Sequence, residues 1–545
     1  MGKTILSFLI VSCFALVAGF ALLHKGLIPT HDGEFHVIRF YEFSRAFFDG
    51  DFYPRWASDL NAGYGVPLFN YVYPLPNYFA LLIHAFGFSF IESFKIQMFL
   101  SLIIGAIFFY LWSREFWGEL GGIVSSVFYT FTPYHFVDVY VRGSVGEVLA
   151  LAIFPALLWS VTKFAKTKKQ VFFPLSSVFF ALLIFSHNIL ALMFSAFLVF
   201  YVSLLVYKEK DKRSLIYQYT SILVLGLGLS SIFWLPALLE KQYVVGLDIY
   251  EVSNNFPLLY QLLIPTWGSG LSEGGLQDQI SFQIGVANLT VMFLCPIFLL
   301  LYRKKDNKKT IVLFFLFWFS VVFLLMLRAS EFIWETIPLM NYFQFPWRFL
   351  SLEMIITSFL AGGVVYFGKA KKILAVFLIG VSFILGIGYA KVAYYMDRQD
   401  NYYIANPVFI DGTNSPGNAF GIVGFNRNLK KADAKFVFNK GSGTFNIKEI
   451  KSSEYFAVVT ASEDSEIVVN TAHFPGWGVF VEGKRIDVQK TQDGLISFQL
   501  PEGTHEVMIR LEDTAVRKVG IVGFYLALLT TLILFVRALF VTIKR

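Results

Sequence analysis

Long apolar runs separated by short polar loops restrict this fold more than any single motif does. About 20 apolar residues cross the hydrocarbon core of a bilayer. Ile5 to Leu23 is the first such run. Further candidate spans cover 91–112, 120–134, 148–163, 171–186, 189–207, 215–237, 286–302, 310–327, 349–367, 372–390 and 519–540, which makes twelve. Composition agrees: 15% of residues are charged and the mean hydropathy is +0.61, against roughly 25% charged in soluble domains. The first run is read as a membrane helix rather than a cleaved signal, because its core is long and no small-residue cleavage site follows it.

Alternate loops are basic: Lys163, Lys166, Lys168 and Lys169; Lys208, Lys210, Lys212 and Arg213; Arg303, Lys304, Lys305, Lys308 and Lys309; Lys369, Lys371 and Lys372. Lys544-Arg545 falls on the same side. The positive-inside rule places these loops and both termini in the cytoplasm. It leaves 24–90, 135–147, 238–285, 328–348 and 391–518 extracytoplasmic, in a multi-pass protein of the plasma membrane. The net charge of +7 resides in these clusters and does not imply nucleic acid. Cys13 and Cys295, the two cysteines, lie in apolar segments and exclude a disulfide framework.

The reading divides the chain into a transmembrane domain (1–390), an extracytoplasmic β-rich domain (391–518) and a final span with its tail (519–545). Alternation over Tyr455–Thr460, Glu466–Ala472, Trp477–Val481, Leu495–Leu500 and His505–Leu511 predicts an antiparallel β-sandwich, with turns at Glu482-Gly483, Asp493-Gly494 and Glu502-Gly503. Trp477, in the Pro475-Gly476-Trp477 strand entry, reads as core packing.

The stretch Thr30-His31-Asp32-Gly33-Glu34-Phe35-His36 follows the first span directly. Two carboxylates and two imidazoles meet there, Gly33 lets the chain turn, and apolar positions at helical spacing follow. The plain alternative is that Asp32 N-caps that helix. Phe79 to Phe88 reads as a second interfacial helix. Between them, Arg55 and Trp56 are candidates for a phosphate and a sugar face, against an ordinary anchoring role. The 135–147 loop carries Asp138, Arg142 and Glu147 just before a span, where ionisable groups are expensive. Glu147 is placed in the first helical turn, and Asp138 and Arg142 are spaced for an i,i+4 pair. His187 and Asn188 occupy an outer hairpin, as acceptor ligands or as turn caps. The 238–285 loop, with its acids Glu240, Asp248, Glu251, Glu273 and Asp278, has the length of a lid.

Taken together, the acidic motif after a short first span, Tyr64-Gly65-Val66-Pro67-Leu68-Phe69, the Arg114-Glu115-Phe116-Trp117-Gly118 inner turn and the short acidic outer loop resemble the GT-C superfamily of membrane glycosyltransferases. Within it, His31-Asp32-Gly33-Glu34, Tyr140-Val141-Arg142-Gly143, Ser186-His187-Asn188 and Phe345-Pro346-Trp347-Arg348-Phe349 resemble a bacterial membrane family named as related to 6-pyruvoyl-tetrahydropterin synthase, over about residues 1–370. The resemblance implies a GT-C-like helical membrane domain. It also implies sugar transfer from a polyprenyl-phosphate donor to an extracytoplasmic glycan, lipid or protein. Asp32 is then the catalytic base and Glu34 its support. Arg142 and Arg348, with Trp347 beside the latter, meet the donor phosphate. His31, Asp32, Glu34 and His36 are the ligand types of a divalent-metal site, although Asp32-Gly33-Glu34 departs from a strict Asp-x-Asp pattern.

Two other function classes stay open at this level. A lipid-linked glycan transporter or flippase calls for ionisable residues within its spans and for repeat symmetry, and neither stands out in the sequence. In a non-catalytic envelope assembly protein the β-domain does the binding.

Overall fold

The computed structural model describes residues 2–207, 209–246, 251–274 and 278–543. Lys208, Asp248 and Lys544-Arg545, singled out above, lie outside them. Among the described residues, eight helices are long and apolar enough to cross a membrane, or nine if the Lys212–Leu229 and Ser231–Leu239 pair, bent by 74°, is one span. Phe172–Ser186 and Val286–Leu301 are apolar but shorter. At about 1.5 Å per residue they fall below the roughly 30 Å core. The twelve predicted segments therefore coincide with helices but do not all meet the length of a span.

Phe90–Phe131 runs for 42 residues, yet Gly118 (φ 75°, ψ −175°) is non-helical. The two limbs fold back on each other: Ser126 Oγ donates to Ala106 O at 2.7 Å, and the Phe109 and Tyr129 rings stack at 4.3 Å. The inner turn expected near Arg114–Gly118 is this reversal.

Val145–Thr167 and Pro346–Phe367 are the central helices, with 89% and 94% of their apolar windows buried. Lys371–Tyr389 and Ala515–Phe540 are peripheral, at 22% and 17%. Small residues bring helices together, as expected where apolar surface gives no preference between neighbour and lipid. Gly362 packs so closely on Gly121 that a Cβ would strike the Gly121 carbonyl, and the Gly362 N–H donates to Ser125 Oγ at 3.1 Å.

Gly33–Phe48 forms the helix predicted after the acidic motif, and Leu75–Ala85 lies a few residues before the predicted second one. Far from lying free on a surface, Gly33–Phe48 buries His36, Arg39 and Glu42 as well as its apolar face.

Nine strands form two antiparallel sheets: β1 (Phe436–Lys440), β2 (Gly443–Ile450), β3 (Glu454–Ala461), β4 (Ser465–Ala472), β5 (Trp477–Val481), β6 (Lys484–Ile486), β7 (Gln489–Lys490), β8 (Leu495–Leu500) and β9 (Gly503–Leu511). Their orders are β1-β4-β8-β7 and β2-β3-β9-β5-β6. Ile467, Val469, Ile496 and Phe498 from one sheet share a core with Ala457, Val459, Val507 and Ile509 from the other. β1, β2, β6 and β7 were not anticipated; all four are edge strands, and β2 is exposed on both faces, so little apolar alternation marks it.

This β-domain sits on the loops that carry the motifs. The Ala472 N–H donates to Tyr64 O (2.8 Å), Asn61 N–H to Gly412 O (2.8 Å) and Val245 N–H to Gly421 O (2.9 Å), while Leu27 and Met396 exchange backbone bonds. The first loop, the 238–285 loop and the β-domain therefore share one end of the helical bundle.

Candidate functional site

At that end the chain forms a polar cluster around Glu147. Asp32 and Arg142 are joined by backbone: His31 N–H donates to Val141 O (3.0 Å) and Asp32 N–H to Arg142 O (2.9 Å). The accepting carbonyls of this pairing belong to a π-type turn, Val137–Arg142, which ends at Gly143 in the left-handed region (φ 64°). Only glycine fits there, because a Cβ would also collide with Thr30 Oγ1. Val145–Thr167 then begins, with Glu147 in its first turn as expected.

Glu147 is fully buried and collects both predicted arginines. Arg142 binds it through two N–H donors, Nη1 to Oε2 and Nη2 to Oε1, each at 2.6 Å. The Arg142 Nη1 also reaches Asp138 Oδ1 at 2.6 Å, which is the predicted i,i+4 pair. Arg348, 201 positions away in sequence, donates from Nε to Glu147 Oε1 at 3.1 Å and from Nη1 to Phe343 O and Gln344 Oε1. The Arg142 guanidinium lies 4.9 Å from the centre of the Trp347 ring, a cation–π contact. Asp138 leaves Oδ2 without a partner. Burial, then the Glu147 charge, pushes the Asp138 carboxyl well up, against the pull of Arg142.

His187 closes the cluster. Its Nδ1 accepts the Leu190 N–H at 3.2 Å, so the proton sits on Nε2, which faces Glu147 Oε1 at 3.7 Å. Burial holds this imidazole down to about 3, with Glu147 opposing and Arg348 and Arg142 assisting, and the ring is neutral at pH 7. Its neighbour Asn188 is exposed and its side chain accepts only the Ile189 N–H.

Asp32 stands beside this cluster but outside its bonding. It occupies the N-cap position of Gly33–Phe48, yet it makes no side-chain cap bond. Thr30 Oγ1 accepts the Gly33 N–H instead, at 3.1 Å. The plain capping reading of Asp32 is thereby overturned. Its half-buried carboxylate has no hydrogen bond or ion pair among the described residues. Burial raises its pKa, while Arg142, then Arg39 and His31, pull it down. Arg39, missed in the sequence, lies two helical turns beyond and is anchored to Asn414 by two 2.7 Å bonds. The spacing Asp32 to Arg39 was the available signal.

The remaining predicted residues lie elsewhere. Glu34 is half-buried, and burial raises its carboxyl against the pull of Arg398 rather than of Arg142. His36 is stacked between Phe40 and Phe94 (5.9 and 6.0 Å), and His31 Nε2 contacts Ser269 O at 3.1 Å, which ties the long loop to the motif. No group of three or more metal-ligating side chains gathers among the described residues, so His31, Asp32, Glu34 and His36 do not form the anticipated metal site. The helical turn separates them: His36 points into an aromatic cage while Glu34 faces another way.

Arg55 and Trp56 belong to the seam with the β-domain. Arg55 donates to Asn70 Oδ1 (3.0 Å) and Ile232 O (3.3 Å) and lies 3.6 Å from Asp513. Trp56 is 1% exposed and packs edge-on against Trp477 at 5.4 Å, which rules out a sugar platform on its face. Trp477 itself stacks on Tyr455 in the sandwich core, as expected. Of the loop acids, Glu240 is buried and binds Arg517, Asn70 and Thr514 at the same seam.

Glu353 is the residue that sequence reasoning passed over. It lies about two turns into Pro346–Phe367, is 1% exposed, and neither carboxyl oxygen has a hydrogen-bond partner among the described residues. The statement that no ionisable group stands out within a span is corrected by it. A lone Glu in an apolar run was the signal.

The family model described as "6-pyruvoyl-tetrahydropterin synthase related domain; membrane protein" matches residues 69–395, more than half of the chain. The chain belongs to this family. The matched region of this 6-pyruvoyl-tetrahydropterin synthase related membrane protein holds Glu147, Arg142, His187, Arg348 and Glu353 but begins after Asp32, and it extends beyond the 1–370 of the sequence resemblance. An uncharacterized protein of Lactococcus lactis subsp. cremoris is 24% identical over 261 residues, 46% of this chain. Two cryo-EM structures of arabinofuranosyltransferase AftD from Mycobacteria, one of them a mutant, align over 70% of this chain at TM-score 0.45, with 16% and 14% identity. The chain spans 41% of the Lactococcus relative and 28% and 27% of the AftD chains.

Proposed function

We propose that this membrane protein is a glycosyltransferase of the GT-C kind, which moves a sugar from a polyprenyl-phosphate donor to an acceptor on the extracytoplasmic side. The observation that carries the reading is Asp32: a carboxylate held by its backbone against Arg142, without a hydrogen-bond partner of its own among the described residues, beside a cluster that holds two guanidiniums. Such a group is placed to accept a proton from an acceptor hydroxyl or amide. The acceptor atom then bonds to the anomeric carbon as that carbon's bond to the phosphate oxygen breaks. The proton goes to Asp32 and polyprenyl phosphate departs.

The arginines enter this reading in a changed role. Arg142 gives two donors to Glu147 and one to Asp138, and Arg348 gives one to Glu147 and others to Phe343 O and Gln344 Oε1, so they supply fixed positive charge rather than an open bidentate fork. Arg142 and Arg348, with Arg39 beyond Asp32, hold positive charge at this end of the bundle, and such charge favours a phosphate and the charge that develops on it. An apolar cavity of about 250 Å³, lined by Leu75, Phe79, Phe108, Leu149 and Leu182, starts within a turn of Glu147 and suits a prenyl chain.

The test is transfer of labelled sugar from a polyprenyl-phosphate donor by purified protein in lipid. Asp32→Asn should lower the rate by about 10²–10⁴-fold, or about 3–5 kcal/mol in the transition state, with donor affinity kept. Wild-type turnover by Asp32→Asn removes the base assignment. Glu353 favours a second reading, a lipid-linked glycan transporter, because unpaired acids within spans mark transport paths. Movement of intact donor across the bilayer without sugar transfer would support that reading instead.

A further inference from the structure

The expected phosphate ligands, Arg142 and Arg348, are engaged with Glu147, Asp138, Phe343 and Gln344. Tyr73 stands beside them with an open hydroxyl. Its ring lies 4.9 Å from that of His187, and a Cβ at Gly146 would strike its Cε2 and Cζ. The phenol end of Tyr73 therefore rests between His187 and the backbone one residue before Glu147. The residue is half-buried, and its phenol oxygen makes no hydrogen bond among the described residues. It is not sealed off either, as the unpartnered phenols of Tyr53 and Tyr403 are.

Two observations say what this hydroxyl meets. The first is charge. Burial keeps the phenol protonated, and of the charges around it Arg39 acts most strongly, then Asp32, Glu147 and Arg142. Arg39 donates from Nε and Nη2 to Asn414, and its Nη1 has no partner among the described residues. A protonated phenol beside an unspent guanidinium N–H favours a phosphate. The second is the apolar cavity of about 250 Å³, whose wall includes Leu75, Leu149 and Leu182. Leu75 lies two residues after Tyr73, Leu149 three after Gly146 and Leu182 five before His187. These three place one end of the cavity beside Tyr73, Gly146 and His187, so a chain lying in it brings its head group to the phenol.

We propose that Tyr73 is a substrate-binding residue: its phenol donates a hydrogen bond to the phosphate of a polyprenyl-phosphate sugar whose lipid chain occupies the apolar cavity. Arg39 Nη1 supplies a second hydrogen bond to the same phosphate. Both persist from the bound substrate to the departing polyprenyl phosphate, and the phenol keeps its proton throughout. The assignment deepens the glycosyltransferase reading and rests on it for the sugar, whereas phosphate binding needs no transfer.

The experiment is calorimetric titration of the full-length protein in detergent with farnesyl phosphate and with farnesol. Farnesyl phosphate should bind the more tightly, and inorganic phosphate at about 10 mM, well above a millimolar Kd, should not displace it. Tyr73→Phe keeps the ring between Gly146 and His187 and removes only the hydroxyl. It should weaken farnesyl phosphate by about 10- to 100-fold, the worth of one hydrogen bond to a charged group. Farnesol affinity should be unchanged, and the thermal unfolding temperature should stay within a few degrees of wild type. Ala156→Leu, which fills the cavity from its wall, should weaken both lipids alike. Equal affinity for phosphate and alcohol, full phosphate affinity in Tyr73→Phe, full affinity for both lipids in Ala156→Leu, or displacement by inorganic phosphate overturns the assignment. Phosphate binding that depends on Tyr73, alongside full turnover of Asp32→Asn, would overturn the catalytic base and leave the assignment standing. An inactive Asp32→Asn, together with a Tyr73→Phe that binds and transfers as wild type does, would do the reverse.

Discussion

At the scale of single residues, Glu147 and Asp32 divide the work between structure and chemistry. Glu147 faces Arg142, Arg348 and His187 in a buried setting, so removing its charge takes the carboxylate partner from Arg348 and leaves Arg142 with Asp138 alone. Breaking such a buried pair costs about 3–5 kcal/mol. Glu147→Gln should therefore lower the unfolding temperature sharply in lipid; an unchanged temperature would show that the cluster contributes little to stability. Asp32 should reveal itself through pH. Its pKa lies above the ordinary 3.8 because it is buried. A carboxyl raised in the folded state adds stability that is complete below the unfolded value and lost as pH rises through the folded one. Base catalysis runs the other way, since only the deprotonated form accepts a proton. Across that window wild-type transfer should rise while stability falls, and Asp32→Asn should flatten both profiles. A rate profile in Asp32→Asn that keeps the wild-type acid limb would assign the limb to another group.

At the scale of elements, two local features decide how the cluster is held. The π-type turn Val137–Arg142 ends at Gly143, whose left-handed backbone lies against Thr30. Gly143→Ala should cost about 1–2 kcal/mol in backbone strain alone, and its collision with Thr30 should push the Asp32 strap away from Arg142. Transfer should drop more than stability does, and an equal loss of both would point to general unfolding. The second feature is the helix bearing Glu353. Its unpartnered carboxyl is a liability of about 1–3 kcal/mol, so Glu353→Leu should raise the unfolding temperature. Under the enzyme reading sugar transfer survives the substitution. Loss of function in a more stable protein would mark Glu353 as a working group of the span.

At the scale of the whole molecule, the β-domain, the acidic motif and the long loop share one end of the bundle. The basic loops at the other end predict, by the positive-inside rule, that this shared end is extracytoplasmic. In a variant with Cys13 and Cys295 replaced, a cysteine at exposed Lys484 on β6 should react with a membrane-impermeant reagent applied from outside to intact cells. Reaction only after permeabilisation would invert the topology and, with it, the choice of acceptor.

Much of this was legible along the chain because the signals are local. Apolar runs, strand alternation and the turn residues depend on a few neighbours, so Val145–Thr167 with Glu147 in its first turn, the Arg142–Asp138 pair and the core strands of the sandwich could be read from spacing. The missed strands β1, β2, β6 and β7 are edge strands, short or exposed, which carry little alternation to read. Tertiary structure alone decided who meets whom. Arg348 reaches Glu147 across 201 positions, Trp56 is buried by Trp477, and Arg55 is drawn to Asn70 and Asp513 instead of to a phosphate. The same step scattered the four expected metal ligands and freed Asp32 by giving the Gly33 N–H to Thr30. Sequence spacing sets which face of an element a side chain occupies, but a buried charge settles with whichever opposite charge packing brings within reach, and that distance exists only in the folded chain.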